Sequence, residues 1–131
     1  MQEFIWPVRV YYEDTDVGGV VFHANYLKYF ERARTEFLRD LGFDLLELQL
    51  ADRILFVVRR MQIDFLKPAR FNDLLSVSAR VTEMKKASFT CLQQARCGEE
   101  LLCDASVKLA CIDADSFFPK PIPVKILDQL R

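Results

Sequence analysis

The second half of the chain alternates between apolar and polar residues almost without interruption. Leu101, Cys103, Ala105, Val107, Leu109 and Cys111 fall at every second position, the period of a strand with one buried face. Arg60, Gln62 and Asp64 alternate with Met61, Ile63 and Phe65, extending a strand from Ile54 that Lys67-Pro68-Ala69 ends. Leu75, Val77, Ala79 and Val81 alternate with Ser76, Ser78, Arg80 and Thr82. Ser88–Cys97 sets Phe89, Cys91, Ala95 and Cys97 on one side. Lys85-Lys86 and Gly98-Glu99 leave room only for tight turns, so the spacing predicts an antiparallel meander of four long strands. Such a sheet has one dry face that another element must cover.

The first half supplies one candidate. Tyr26, Phe30, Ala33, Phe37 and Leu41, flanked by Leu27 and Leu38, recur at helical spacing. Asn25 is a suitable N-cap and Gly42 a suitable C′ residue. The wide aromatic stripe predicts a central helix held on more than one side. Before it, Ile5–Tyr12 alternates as a strand, with Val8, Val10 and Tyr12 on one face and Pro7 marking an edge. Asp44–Asp52 reads as a shorter helix, and Pro119–Arg131 as a proline-punctuated tail ending in an amphipathic turn or helix. The expectation is an α+β fold, one domain over residues 1–131, with part of a long sheet edge pairing with a second copy.

Bulk properties narrow the function. A net charge of −1 over 131 residues gives no broad positive field for nucleic acid. Four cysteines without a CxxC pair, and a single histidine, make a poor zinc set. MQEFIWPVRV does not read as a signal peptide, and no stretch is long enough to span a membrane. A cytoplasmic protein with reduced, inward-facing thiols is expected.

The chemistry concentrates in Glu13–Tyr29, EDTDVGGVVFHANYLKY. An aspartate such as Asp16 can attack an acyl carbon or take a proton from water. His23 and Ala24 stand at the mouth of the helix, where backbone N–H groups are free and partially positive. Gly18-Gly19 frees the loop to turn Asp16 toward them. Tyr12 is placed to donate a hydrogen bond. The same residues serve elsewhere as ordinary turn formers, caps and packing aromatics. No serine sits in a G-x-S-x-G elbow, and no dinucleotide or nucleotide-phosphate loop is present. A cysteine paired with His23 stays open. The turn Lys85-Lys86-Ala87-Ser88 offers two ammonium groups and a hydroxyl suited to phosphates.

YYEDTDVGGVVFHANYLKYFERARTEFLRDLG and VVRRMQIDFLKPARFNDLL resemble segments of the YbgC-type acyl-CoA thioesterases, in the 4-hydroxybenzoyl-CoA thioesterase branch of the hotdog superfamily. Phe22 stands where that family often has tyrosine. The resemblance implies a hotdog fold, an antiparallel sheet wrapped around one long helix and assembled as dimers or tetramers. It implies hydrolysis of an acyl-CoA or acyl-carrier-protein thioester without metal or other cofactor. Asp16 matches the family's catalytic carboxylate, as nucleophile or general base, and His23 and Tyr12 match active-site positions. The His23 backbone N–H matches the oxyanion donor, and Lys85, Lys86 and Ser88 the place where the carrier's phosphates are gripped. The resemblance also implies work near the inner membrane, in company with the Tol-Pal system. Two rivals are a hotdog hydroxyacyl-thioester dehydratase using Asp16 and His23, and a non-hydrolytic adaptor that binds acyl carriers.

Overall fold

The structure, a computed structural model, describes residues 3–131. Five antiparallel strands form one sheet: β1 (Phe4–Arg9), β2 (Ile54–Phe65), β3 (Leu74–Met84), β4 (Ser88–Cys97) and β5 (Glu100–Asp113), in the spatial order β1-β3-β4-β5-β2. The predicted strands of the second half are all present. Their order is not a simple meander, however. β3, β4 and β5 follow one another, but β2 pairs with β5 rather than β3. The segment between β2 and β3 crosses the start of the central helix instead of turning back. There the Ala69 N–H donates to the Tyr26 hydroxyl at 3.2 Å, and the Val21 N–H donates to the Ala69 carbonyl at 2.8 Å.

The central helix, α1 (Asn25–Asp40), lies over β1 and β3. It buries Tyr26, Tyr29, Phe30, Ala33, Phe37 and Leu38 against inward sheet residues including Cys91, Ala95, Cys103, Ala105, Val107 and Cys111. Leu27 is exposed instead, being off the stripe that faces the sheet. Gly42 takes φ +98° just beyond the helix. Its N–H donates to the Arg39 carbonyl, and the Phe43 N–H to the Leu38 carbonyl, each at 2.9 Å. This pair of bonds is the Schellman stop expected of a glycine at C′. At the other end the cap is Ala24, with no side-chain bond. Asn25 is therefore not the N-cap; its amide reaches the preceding loop.

After α1, Asp44 caps α2 (Leu45–Glu47) by accepting from the Leu46 and Glu47 N–H groups at 2.9 and 3.1 Å. The helix loosens at once into a wide turn over Leu48–Asp52, so Leu48 is buried in the core and Leu45 packs against it, while Leu46 and Leu50 face out. The tail ends in α3 (Val124–Leu130), which buries Ile126 and Leu130. Tyr12, expected on the first strand, begins a single turn of 3-10 helix (Tyr12–Asp14) and is largely exposed. The ladder of β1 with β3 stops at Arg9, so nothing holds Tyr12 in a strand.

One polar network crosses the core. Gln93, fully buried on β4, accepts from the Arg34 guanidinium at 2.9 Å and donates to the carbonyls of Phe30 and Ser78 at 3.0 and 3.2 Å. Arg34 is buried on α1, and desolvation lowers its pKa.

Candidate active site

Residues 14–22 form a small hairpin that leads into α1. The Phe22 N–H donates to the Asp14 carbonyl at 2.9 Å, Thr15 bridges Val21, and the Asp16 N–H donates to the Val20 carbonyl at 2.9 Å. Gly19, at φ +78°, makes the tip possible. Gly18 matters for a second reason: its N–H donates to Asp16 Oδ1 at 2.8 Å, and a Cβ there would sit 3.2 Å from that oxygen. Asp16 thus makes an ordinary aspartate turn with one oxygen. Its Oδ2 carries no hydrogen bond among the described residues, and the side chain is exposed. A carboxylate held at one oxygen and open at the other can act as base or nucleophile.

The start of α1 provides the electrophilic element. The chain winds helically from Phe22, with Asn25, Tyr26 and Leu27 donating to the carbonyls of Phe22, His23 and Ala24. The His23 and Ala24 N–H groups donate to no acceptor among the described residues. They are free first-turn donors at the positive end of a 16-residue helix.

Asp14 fastens this arrangement. Its carboxylate accepts from the Asn25 side-chain amide at 2.7 Å and from the Tyr11 N–H at 2.8 Å. Beneath it lies the fully buried Tyr29. Burial, then the neighbouring Asp14 carboxylate, push the Tyr29 phenol well above its usual range. Nothing in the sequence singles out Asp14 from its loop or Tyr29 from its helix. The fold makes both part of the wall behind the hairpin. The signal available in the sequence was the identical reach of Asp14 and Asp16 from one loop, which spacing cannot rank.

The predicted site residues are only partly gathered by one chain. Asp16 and Tyr12 line a surface depression with Phe71 and Gly19. His23 lines a neighbouring one with Tyr26, Phe65, Leu66 and Pro68. The same hairpin lines both, with Gly19 on the first and Val21 on the second. The His23 ring lies 6.0 Å from that of Phe65, which in turn lies 5.7 Å from Tyr26. Lys85, Lys86 and Ser88 are remote. Their turn joins β3 to β4 at the far end of the sheet, beyond a β3 of 11 residues, about 35 Å of strand. Lys85 and Lys86 are exposed, but Ser88 is buried and opposes Ala110.

The thiols are poor partners for His23. Cys91, Cys103 and Cys111 are buried, and desolvation pushes their pKa values up to about 11, 12 and 11. None of the four cysteines lines the His23 depression.

Residues 18–104 match the family model of the thioesterase superfamily. The acyl-CoA thioester hydrolase YbgC of Escherichia coli O6:H1 is 43% identical over 129 residues, which cover 98% of this chain and 96% of that protein. The acyl-CoA thioesterase YbgC of Haemophilus influenzae is 45% identical over 123 residues, 94% of this chain and 90% of the relative. Among solved structures, a probable thioesterase from Bartonella henselae superposes with a TM-score of 0.90 at 39% identity, over 93% of this chain and all of that one. With its hotdog arrangement of one long helix on a five-stranded sheet, the chain belongs to the thioesterase superfamily, in the branch of the YbgC acyl-CoA thioesterases.

Proposed function

We propose that the protein hydrolyses acyl-CoA thioesters, with Asp16 as the carboxylate that starts the reaction and the His23–Ala24 helix start as the oxyanion site. The observation that carries the assignment of residues is the pairing of an open carboxylate oxygen on Asp16 with unbonded N–H groups on His23 and Ala24, at two ends of one short hairpin. Acting as base, Asp16 takes a proton from water whose oxygen attacks the thioester carbon. The carbonyl oxygen gains charge and is held by the helix-start N–H groups. The C–S bond then breaks, and the CoA sulfur leaves with a proton. Acting as nucleophile, Asp16 forms a mixed anhydride that water opens. One oxyanion donor of this kind is worth roughly 10²–10³ in rate. The His23 ring, beside Phe65, orients the thioester or the water. Tyr12 donates from the Asp16 side.

The substrate carrier is CoA or an acyl-carrier protein. The active form is a homodimer or homotetramer, and the exposed Lys85 and Lys86 grip the carrier's phosphates from a neighbouring subunit, since in one chain they are remote. A cytoplasmic location, near the inner membrane and in company with Tol-Pal, follows from the family resemblance. Among the described residues no helix is long and apolar enough to cross a membrane. Residues 1–131 act as one thioesterase domain without metal or other cofactor.

The test is thiol release across short, long and aromatic acyl-CoA substrates and acyl-carrier protein, with Asp16→Asn beside the parent. Release that depends on Asp16 supports the assignment. Enoyl formation without thiol release would mark a dehydratase, and tight binding without turnover an adaptor.

A further inference from the structure

The Tyr29 hydroxyl oxygen is the one buried side-chain polar atom among the described residues that makes no hydrogen bond. Its ring is fully buried and packs edge-on against Tyr26, whose own hydroxyl takes the Ala69 N–H. A buried hydroxyl left without a partner is destabilising, and a phenylalanine would fill the same space without that cost. The reaction as described above makes no use of this group. Its polar neighbours are the Asp14 carboxylate and the Asn25 amide.

Asp14 stands at the root of the hairpin. Its carbonyl takes the N–H of Phe22, the residue before His23, and Asp16 lies two residues further along the loop. One carboxylate oxygen accepts from the Asn25 amide and the other from the Tyr11 N–H. Each oxygen has a second lone pair to offer. The Tyr11 bond lies within the loop itself, so Asn25 is the only tie from this carboxylate to α1. Such a tie fixes how far the hairpin root sits from the helix and leaves it free to swing. Asn25 and Tyr29 are four residues apart on α1, so their side chains rise from one face. A second donor one turn along the helix fixes direction as well as distance. Burial, and then the Asp14 charge, keep the Tyr29 phenol protonated, so a donor lies beside an acceptor with room for it.

We propose that Tyr29 is a positioning residue for thioester hydrolysis. In the working protein its hydroxyl donates to the Asp14 carboxylate and, with Asn25, sets the angle at which the hairpin presents Asp16 to the His23 and Ala24 N–H groups. A small inward movement of the hairpin root makes the bond. The Asn25 amide gives one hydrogen to Asp14 and has its second for the Tyr29 oxygen, which closes a ring of three groups. Tyr29 acts through Asp14 and touches none of the reacting atoms. The effect on hydrolysis rests on the assignment of Asp16; the bond itself does not.

Tyr29→Phe keeps the ring and removes the oxygen. Its unfolding equilibrium constant, from urea titration, should rise roughly tenfold, as for a lost hydrogen bond to a charged group. An idle hydroxyl gives the opposite sign, because removing it relieves a buried polar group. With Asp14→Ala already in place, Tyr29→Phe should cause no further loss. If circular dichroism shows that background unfolded, Asp14→Asn replaces it, and its neutral oxygen should cut the effect to roughly threefold. In steady-state thiol release Tyr29→Phe should lower kcat roughly tenfold with KM within about twofold of the parent, the split expected of a misplaced Asp16 rather than of lost binding. A Tyr29→Phe chain at least as stable as the parent, losses that add in the double variant, or a parental kcat would each overturn the proposal. The urea cycle needs no substrate, so failure of the bond is distinct from failure of the Asp16 assignment, which near-normal turnover in Asp16→Asn reports.

Discussion

The side-chain amide of Asn25 donates to the carboxylate of Asp14 across 2.7 Å, joining the first residue of α1 to the loop that carries Asp16. A capping asparagine would have turned its oxygen to the helix's own N–H groups. Here the side chain acts as a tether between the two halves of the candidate site.

Tether and cap predict opposite orders of damage. Aspartate caps about as well as asparagine, but Asn25→Asp would face the Asp14 carboxylate with a second negative charge. Asn25→Asp should therefore hurt more than Asn25→Ala. The alanine variant should lose about 1–2 kcal/mol of stability from the stranded carboxylate and roughly tenfold in kcat, with KM little changed. Urea unfolding and steady-state kinetics on both variants measure the order.

Asp16→Asn keeps an oxygen for the Gly18 N–H and removes the charge. Hydrolysis should fall by roughly 10²–10⁴, while stability stays within about 0.5 kcal/mol, as expected for an exposed side chain. Near-normal turnover in that variant would remove Asp16 from the mechanism.

The buried Arg34–Gln93 pair should show strong coupling. Gln93→Leu leaves the Arg34 guanidinium buried without its acceptor and should cost about 3–5 kcal/mol. Adding Arg34→Met removes the stranded charge and should recover much of the loss. A double-mutant cycle by chemical denaturation reads this directly. Additive losses would mean that the two side chains act independently.

Thiol chemistry should be silent. With pKa values near 11 to 12, Cys91, Cys103 and Cys111 should alkylate at least roughly 100-fold more slowly in the folded protein than in urea. Alkylation of the folded protein should leave hydrolysis intact. Inactivation in step with labelling of one of these cysteines would reinstate a cysteine–His23 pair.

Acid should weaken the fold through Asp113. Its carboxylate accepts from the Ser116 and Asp115 N–H groups at 2.8 and 3.0 Å. Those bonds, with Lys120 nearby, hold its pKa down to about 2 from the ordinary 3.8. A folded pKa below the unfolded one gives stability that is complete above the unfolded value and is lost as pH falls through the folded value. The loss should therefore run between about pH 4 and pH 2, and Asp113→Asn should flatten that part of the stability curve. Urea midpoints across that interval measure it.

The sequence by itself determined whatever has a local period. Alternation over Leu101–Cys111 placed β5, and the stripe from Tyr26 to Leu41 with Gly42 beyond it placed α1 and its end. Both follow from side-chain direction along a strand or helix, which neighbouring residues set. The loop that carries Asp16 and the helix start at His23 were legible because one short segment holds both. The tertiary structure alone decided what depends on residues distant in the chain. β2 found β5 rather than β3, because the link between β2 and β3 crosses the start of α1. Asn25 left its capping position because Asp14 had been brought within reach. Arg34 went inward because Gln93, 59 residues away, offered an acceptor. The turn that carries Lys85 and Ser88 offers phosphate-binding groups by composition alone, and the length of β3 sets it far from Asp16. A polar side chain's place is set by the partner that the fold delivers, and no local pattern records which partner that is.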